Sequence, residues 1–387
     1  MFALLRNQKV RNAILQVFFV GAIACIVIGG WLNAQQTLAQ QRITSGFGFL
    51  WKSTGWEGNF SILSAAPNDP YWWFFVVGIA NTLFLGTAGL MSATLVGAAV
   101  GLARTSSNEM LQLLGRIYVD FFRNIPLILQ VFFWHAFVTH LPAPRNAHDL
   151  WGMKLSSRGL YVPVFNVDGI YLLASAVCLV AAVLLPFWLT RTRRIPRPPE
   201  QRRGLCLVAS VGLLALASLI VVAGRVPGEP FLSVPQLQGL NLRGGTRISP
   251  EFSALVIAIT LYGGAYIGEI VRGGFKAVGR GQVEAAASLG LTPWQAFSRI
   301  RLPLALRAML PILANQYIWL IKATTLGIAI GFSDFFMIVA ITINQSGQTL
   351  EAIGILMAGF LLINLSLAAI FNRVNKAIAL KGNQLRS

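Results

Sequence analysis

The sequence contains few charged residues, and acidic residues are the scarcest of them. Its 387 residues include only 13 Asp and Glu against 31 Lys and Arg. Charged residues therefore make up 11% of the chain, whereas soluble globular proteins average about 25%. Because 55% of the residues are hydrophobic, lipid must cover most of the apolar surface, which predicts an integral membrane protein. The net charge of +18 does not indicate a nucleic-acid binder, since such proteins display basic residues on a water-soluble surface.

Cysteine and histidine are also rare. The three cysteines, Cys25, Cys178 and Cys206, lie in apolar runs, and their spacing relative to the three histidines indicates neither a disulfide framework nor a metal site. The sequence lacks the Gly-x-x-x-x-Gly-Lys-[Ser/Thr] phosphate loop. Its membrane runs contain no arrangement of nucleophile and base. We therefore expect no catalytic site, no metal site and no cofactor bound by this chain.

Long apolar runs are abundant, and a run of about 20 residues can cross the bilayer as a helix. Eight runs qualify, at residues 13–31, 74–103, 125–139, 171–190, 204–224, 252–271, 303–330 and 352–371. The third run is short, but residues 115–124 can extend it into the interface. Basic residues precede the first run, as in a signal peptide, yet its length and the lack of a small-residue cleavage site favour a retained helix. The composition predicts an all-α membrane protein with about eight transmembrane helices.

The distribution of basic residues predicts the orientation, because positively charged loops stay in the cytoplasm. With both termini inside, 22 Lys and Arg fall on the cytoplasmic side, Arg307 at the start of the seventh run among them, 8 fall outside, and Lys322 alone lies deep in a membrane run. The arginine-rich segment 190–203 is then a cytoplasmic linker. The external segments at 34–70, 140–170 and 225–251 are long enough for small structured loops. In the second run, small residues recur every fourth position, which predicts close packing against another helix: Gly89, Ala93, Gly97 and Gly101.

The most regular cytoplasmic segment lies between the sixth and seventh runs, at residues 281–303. Helix-forming residues are followed by Gly290, which fits the left-handed position that ends a helix. Thr292, Pro293 and Gln295 match an N-cap, a first helical position and the end of a capping box. The pattern predicts two short helices.

The second of these helices is expected to run through Ser298 and to present Trp294, Ala296 and Phe297. An apolar surface rimmed by basic residues suits insertion into a cleft of a soluble partner. It equally suits a helix lying on the lipid surface. The rim consists of Arg280, Arg299 and Arg301.

The spacing Glu-Ala-Ala, three residues, Gly, nine residues, Ile, one residue, Leu-Pro in this segment resembles the EAA loop of permease subunits of binding-protein-dependent ABC importers. The resemblance implies that the loop forms a coupling helix that docks on an ATP-binding subunit. The residues assigned to this coupling role are Glu284, Ala285, Ala286, Gly290, Trp294, Phe297, Ile300, Leu302 and Pro303.

Further stretches resemble the five-helix core of polar amino acid permeases, at residues 78–83, 122–127, 266–274 and 330–334. Residues 316–322 and 344–348 and Asn372 are closer still to the Q-type permease of general L-amino-acid importers. The resemblance implies a type I ABC importer core of five helices with three extra helices. It divides the chain into an N-terminal helix and external loop (1–70), the first part of the core (71–140), inserted external loops with two extra helices (141–251), and the second part of the core with the EAA loop (252–387).

The resemblance also implies the partners. A dimer of ATP-binding subunits would hold ATP and magnesium, and a periplasmic binding protein would deliver the amino acid to the external face. A second permease subunit, either a related chain or an identical copy, would complete the path through the bacterial inner membrane. An ion-coupled amino acid carrier is the alternative, but it would need carboxylates near the midplane and usually inverted repeats.

Lys322 is the one cation deep in a membrane run, where an ionisable residue indicates function. Asn315 and Trp319 share its helix face at i, i+4, i+7 spacing, so Lys322 could meet the carboxylate of an amino acid. It could instead satisfy carbonyls freed where the helix unwinds, or pair with Asp334 or Glu269. The residues assigned to the substrate path are Asn315, Trp319, Lys322, Thr324, Thr325, Ser333 and Asp334. Related permeases usually have Asn-Ser-Ser-Leu after the lysine, whereas this chain has Ala-Thr-Thr-Leu, so selectivity could differ.

Overall fold

The computed structural model describes residues 8–40, 46–191 and 199–378. The helices of this part are α1 (Gln8–Gln40), α2 (Tyr71–Ala103), α3 (Glu109–Asn124), α4 (Leu127–Thr139), α5 (Gly169–Arg191), α6 (Pro199–Ala223), α7 (Pro250–Lys276), α8 (Arg280–Ser288), α9 (Pro293–Ala296), α10 (Leu302–Ala323), α11 (Phe335–Ser346) and α12 (Thr349–Ile378). The short strands are β1 (His148–Leu150), β2 (Met153–Ser156), β3 (Gly159–Val162), β4 (Val164–Phe165), β5 (Leu232–Ser233), β6 (Gln236–Gln238), β7 (Asn241–Arg243) and β8 (Thr246–Ile248). Residues 192–198, half of the predicted arginine-rich linker at 190–203, lie outside the described residues.

The chain divides into two compact units, one formed by Met1–Phe132 with Leu255–Ser387 and the other by Phe133–Ala254. Five helices of the described part are long and apolar enough to cross a membrane, and the bent pair of α3 and α4 makes a sixth if it counts as one span. The predicted count of eight is not confirmed, because the apolar parts of α1 and α5, Ile14–Gly30 and Gly169–Ala182, are shorter.

The bend between α3 and α4 measures 99° and follows from Pro126. Proline has no N–H to donate and disfavours a helical residue before it, so the helix must break there. The buried Gln130 side chain repairs the break, because its Nε2 donates to the carbonyl oxygens of Phe122 at 3.0 Å and Ile125 at 3.1 Å. The backbone carbonyl groups that lose their helical hydrogen bonds at this break thereby find a donor within the protein.

The ladder of small residues on α2 packs against α7, as the sequence predicts. Each of its four members faces one residue of a matching ladder on α7, which consists of Ile259, Gly263, Ile267 and Val271. A methyl group added at Gly97 would lie 2.6 Å from Cβ of Ile267, and one added at Gly101 would lie 2.5 Å from Cβ of Val271. The two helices therefore approach too closely for any larger side chain.

A short helix that the sequence analysis missed, α11, packs on the first half of α2. A Cβ at Gly78 would lie 2.8 Å from Cα of Phe335, whose side chain is fully buried. The N–H of Phe335 donates to Oγ1 of Thr82 at 3.0 Å, and Nδ2 of Asn81 donates to the carbonyl oxygen of Ser333 at 2.8 Å. These buried hydrogen bonds hold the start of α11 against α2.

In the second unit, α5 and α6 form a helical hairpin whose ends are joined by a hydrogen bond from the N–H of Asp168 to the carbonyl oxygen of Gly224 at 2.9 Å. The two segments that flank this hairpin form a small antiparallel sheet in the order β1-β2-β3-β8, together with the pairs β4-β5 and β6-β7. The all-α prediction thus omitted these strands, while the expectation of structured loops in both segments is confirmed.

The turn between β1 and β2 places Trp151 and Gly152 at φ values of 53° and 85°. A hydrogen bond from the Lys154 ammonium to Asp149 lowers the pKa of the Asp149 carboxyl, and the N–H of Gly152 adds to the effect. These two hydrogen bonds to one carboxylate brace a turn that carries a bulky residue at positive φ.

We predict that Gly97→Ala lowers the stability of the protein by about 1 to 3 kcal/mol, because the added methyl group overpacks the contact between α2 and α7. Gly354→Ala is the matched control, since Gly354 lies in α12 with no atom within 4 Å of an added Cβ. The measurement is the thermal unfolding midpoint of each variant in detergent. Equal midpoints for both variants would contradict the close packing.

Candidate functional site

The segment that carries the EAA pattern begins with α8, which ends in the conformation predicted for Gly290. Gly290 has a φ of 71°. Its N–H donates to the carbonyl oxygen of Ala287 at 2.9 Å, and the N–H of Leu291 donates to that of Ala286 at 3.1 Å. Together these bonds form a Schellman motif, which satisfies the last carbonyl groups of a helix. A side chain at position 290 would strain this turn.

The second predicted helix starts with the expected cap but does not end where expected. Oγ1 of Thr292 accepts from the N–H of Gln295 at 3.3 Å, and Oε1 of Gln295 accepts from the N–H of Thr292 at 3.0 Å, which completes a capping box. Beyond α9, a π-helical turn at Phe297–Arg301 leads directly into α10. The predicted end at Ser298 is therefore wrong, and α9 is continuous with the membrane helix.

Two large apolar side chains protrude from this segment. Leu289 is 78% exposed and Trp294 is 72% exposed. Phe297 is only half-buried, and its ring stacks between Trp294 at 5.8 Å and Phe275 at 5.7 Å. Ala296, which was expected on the exposed face, is instead buried, at 8% exposure. We call Leu289 and Trp294 the apolar knob.

The remaining residues of the EAA pattern divide between surface and core. Glu284 and Ala285 are exposed, as is Gly290, whereas Ala286 is 1% exposed. Ile300, Leu302 and Pro303 are half-buried. Arg280 and Arg299 of the basic rim are exposed, while the Arg301 guanidinium lies 5.9 Å from the ring centroid of Phe275. The pattern thus combines an exposed surface with the residues that fix it to α7 and α10.

An ion-pair cluster lies on α7 one turn before Phe275. Glu269 pairs with Arg272 on its own helix and with Arg104, which directly follows α2. The pairing of Glu269 with Arg272 agrees with their spacing of three residues, whereas no sequence pattern predicts the pairing with Arg104, which lies 165 positions away. Because Glu269 is engaged by two arginines, its proposed pairing with Lys322 is not observed.

The residues predicted for the substrate path fall into two groups, and the first lies on one face of α10. Asn315 and Lys322 are exposed in this chain and Trp319 is 42% exposed. The Trp319 ring stacks on Tyr262 at 5.5 Å, which in turn contacts Tyr266 at 4.8 Å. The Arg123 guanidinium lies 4.7 Å from the ring centroid of Tyr266. These two tyrosines were not among the predicted site residues, although their i, i+4 spacing on α7 indicates a shared face.

The second group lies at the end of α10 and the start of α11 and is mostly buried. The Oγ1 atoms of Thr324 and Thr325 donate to the carbonyl oxygens of Ile321 and Lys322, at 2.7 and 2.8 Å. The helix narrows there to a 3₁₀ segment, Thr324–Ile330. Thr325 is half-buried, whereas Thr324 is fully buried.

Ser333 and Asp334 are also buried, at 3% and 0% exposure. Oγ of Ser333 accepts from the N–H of Asn59 at 3.0 Å, and Oδ1 of Asp334 accepts from the N–H of Met337 at 2.8 Å, which caps α11. These contacts favour structural roles for Thr324, Ser333 and Asp334. Among the described residues, no group of three or more His, Cys, Asp and Glu side chains could hold a metal ion.

Comparison with known proteins gives similarity along nearly the whole sequence. The family model described as binding-protein-dependent transport system inner membrane component matches residues 206–380. YhdX of Escherichia coli, provisionally named an amino-acid ABC transporter permease protein, is 37% identical over 383 residues, or 97% of this chain and 95% of that protein.

Two further relatives match over the same extent. The general L-amino acid transport system permease protein AapQ of Rhizobium johnstonii is 34% identical over 97% of this chain and 94% of its own length. The glutamate/glutamine/aspartate/asparagine transport system permease protein BztB of Rhodobacter capsulatus is 29% identical over the same shares of the two chains. The similarity therefore includes the helices and loops that precede residue 206.

We predict that Glu269→Gln lowers the thermal unfolding midpoint in detergent, because two guanidinium groups lose their shared counter-charge. Hydrogen bonds to charged groups contribute about 1.5 to 3 kcal/mol each, and the partly exposed position favours the lower end. Glu109→Gln is the control, since Glu109 is exposed at the start of α3. If the unfolding midpoint of Glu269→Gln falls no further than that of Glu109→Gln, the ion-pair cluster does not brace α2 and α7.

Proposed function

This chain belongs to the amino-acid ABC transporter permeases within the binding-protein-dependent transport system inner membrane components, and from this membership we propose how it couples import to ATP hydrolysis. The apolar knob on α8 and α9 docks into a cleft of a separate ATP-binding subunit. The chain itself is not an enzyme, and ATP with magnesium is held by that partner. The observation that carries the proposal is the exposure of Trp294 and Leu289 beside a basic rim.

The structure of the segment supports docking over simple adsorption to lipid. Trp294 and Leu289 lie on two different helices joined by a tight, doubly capped turn, so they form one compact protrusion rather than the long apolar face of a helix that lies on a membrane. The protrusion is continuous with α10 through the π-helical turn. A displacement of the knob would therefore move the membrane helix directly.

We predict that Trp294→Ala weakens docking of the ATP-binding subunit. Removal of a central aromatic contact costs about 2 kcal/mol or more, which is about thirtyfold in affinity. The measurement is the amount of ATP-binding subunit that co-purifies with the chain at a series of dilutions, together with ATP hydrolysis stimulated by the loaded binding protein.

Trp151→Ala is the matched control, because it removes an even more exposed tryptophan, 98% exposed, from the other unit. It is expected to leave co-purification unchanged. Gly290→Asp, which strains the turn between the two helices, is expected to match Trp294→Ala. Normal assembly and stimulated ATP hydrolysis in both knob variants would overturn the docking assignment.

We further propose that the exposed face of α10 lines the substrate path. An ammonium group at this depth is costly against lipid, so Lys322 is better placed toward a water-filled path that a second permease subunit completes. The relatives are named for transport of L-amino acids, in one case glutamate, glutamine, aspartate and asparagine. In this proposal Lys322 holds the α-carboxylate of the amino acid, and Asn315, Trp319 and Thr325 line the same path.

The proposed assembly contains a dimer of ATP-binding subunits, two permease subunits that are either related or identical, and a periplasmic amino-acid-binding protein. It lies in the bacterial inner membrane with both termini of this chain in the cytoplasm. The excess of Lys and Arg on one side of the predicted topology supports this orientation.

We predict that Lys322→Ala raises the amino acid concentration needed for half-maximal ATP-driven uptake about tenfold or more, since a charge-assisted hydrogen bond is lost. Lys376→Ala, at an exposed position in the last turn of α12, is the control. Uptake is measured in membranes in which assembly with the ATP-binding subunit has been verified. Unchanged affinity and rate would remove Lys322 from the substrate path.

A further inference from the structure

A polar cavity of about 470 Å³ lies in the first unit, away from the face of α10 that carries Lys322. It is formed between the segment that precedes α2, the first residue of α2 and the turn that joins α11 to α12. None of its lining residues belongs to α10. The size is within the range of small-molecule sites, about 300 to 1,000 Å³. The predicted topology places these helix ends on the external side.

The walls of the cavity are held by local structure. Gly347 has a φ of 72° and ends α11, so the chain turns sharply toward α12. The turn directs Gln345 and Ser346 into the cavity, and Oε1 of Gln345 accepts a hydrogen bond from the Tyr71 hydroxyl at 3.3 Å. The N–H of Gly46, which lines the cavity, donates to the carboxylate of Glu351 at 2.7 Å, and this bond fixes the segment before α2. The Asn-Gln-Ser-Gly-Gln sequence at residues 344–348 thereby forms the turn after α11 and part of the cavity lining.

The residues that line the cavity carry one formal charge, which is positive, and the buried Glu351 carboxylate, which is not among them, is bonded to the N–H of Gly46. Lys52 is the only ionisable side chain other than the Tyr71 phenol among the residues that line it. The ion pairs formed between described residues involve Arg104, Lys154 and Arg272, and none involves Lys52. The buried ring of Phe49 provides an apolar wall beside this cation. The cavity therefore offers an ammonium group, amide and hydroxyl groups, and one aromatic surface.

We propose that this cavity binds a free amino acid on the external side, separately from the path along α10. The Lys52 ammonium holds the α-carboxylate, the oxygen atoms of Gln345 and Ser346 accept from the α-ammonium group, and Phe49 contacts the aliphatic part of the side chain. The choice of an amino acid among small carboxylates rests on the proposed function. Such a site would retain substrate at the outer face between release from a binding protein and entry into the path.

The test is the protection of a cysteine placed in the cavity. Ser53 lines the cavity and is exposed, so Ser53→Cys can be labelled by a membrane-impermeant thiol reagent in the purified complex without ATP or binding protein. L-glutamine is expected to slow labelling in a saturable manner. Lys52→Gln is expected to raise the glutamine concentration required for half-maximal protection about tenfold or more, since a charge-assisted bond is lost. Lys52→Arg and the control Lys154→Gln are expected to retain protection.

A second probe tests whether protection requires the α-carboxylate of the amino acid. The compound 4-aminobutyramide keeps the amine and side-chain amide of glutamine but lacks the α-carboxylate, and it is expected not to protect. Absence of protection by glutamine, or equal protection with Lys52 and with Lys52→Gln, would overturn the proposal. Protection that requires the binding protein would also overturn it, because the cavity would then accept a protein surface. ATP-driven uptake by the Ser53→Cys complex tests the proposed function separately, since labelling needs no ATP.

Discussion

The close approach of α2 and α7 is the contact on which the rest of the first unit depends. Without Gly97 and Gly101, the backbones could not meet, and Arg104 at the end of α2 could not reach Glu269 on α7. The end of α7 then carries Phe275, on which Phe297 stacks. Within a membrane the hydrophobic effect does not drive helices together, because lipid is as apolar as their side chains. Close packing and ion pairing hold the helices together instead. The contact of Gly97 and Gly101 with α7 thereby sets the position of the apolar knob.

The knob and the Lys322 face are joined by one helical segment. Residues 293–330 form a single span that includes the π-helical turn and α10. Trp294 and Lys322 are 28 residues apart, which at 1.5 Å per residue gives about 40 Å along the helix. In the proposed function, a movement of the docked ATP-binding subunit therefore reaches the proposed substrate path without an intervening loop. π-Helical turns often occur at functional sites, and this one lies where α9 continues into the membrane helix α10.

Local signals allowed part of this structure to be predicted from the sequence. Gly290 and the capping box at Thr292 depend on backbone conformation within a few residues, and the small-residue ladder of α2 depends on helical periodicity, so all three predictions are confirmed. Long-range partners carried no such signal. Arg104 pairs across 165 positions, β3 pairs with β8 across the α5–α6 hairpin, and α11 is apolar but shorter than a membrane-spanning run. The burial of Ala296 likewise depends on tertiary packing that periodicity does not reveal.

The central claim is that the energy for transport comes from a separate ATP-binding subunit through this chain's coupling segment. Its most direct test is amino acid uptake into proteoliposomes that contain the complex, with ion gradients collapsed by ionophores and ATP supplied on the side of the ATP-binding subunit. The account predicts uptake that requires ATP and the binding protein and is unaffected by the ionophores. Uptake that proceeds without ATP and follows a proton or sodium gradient would contradict it.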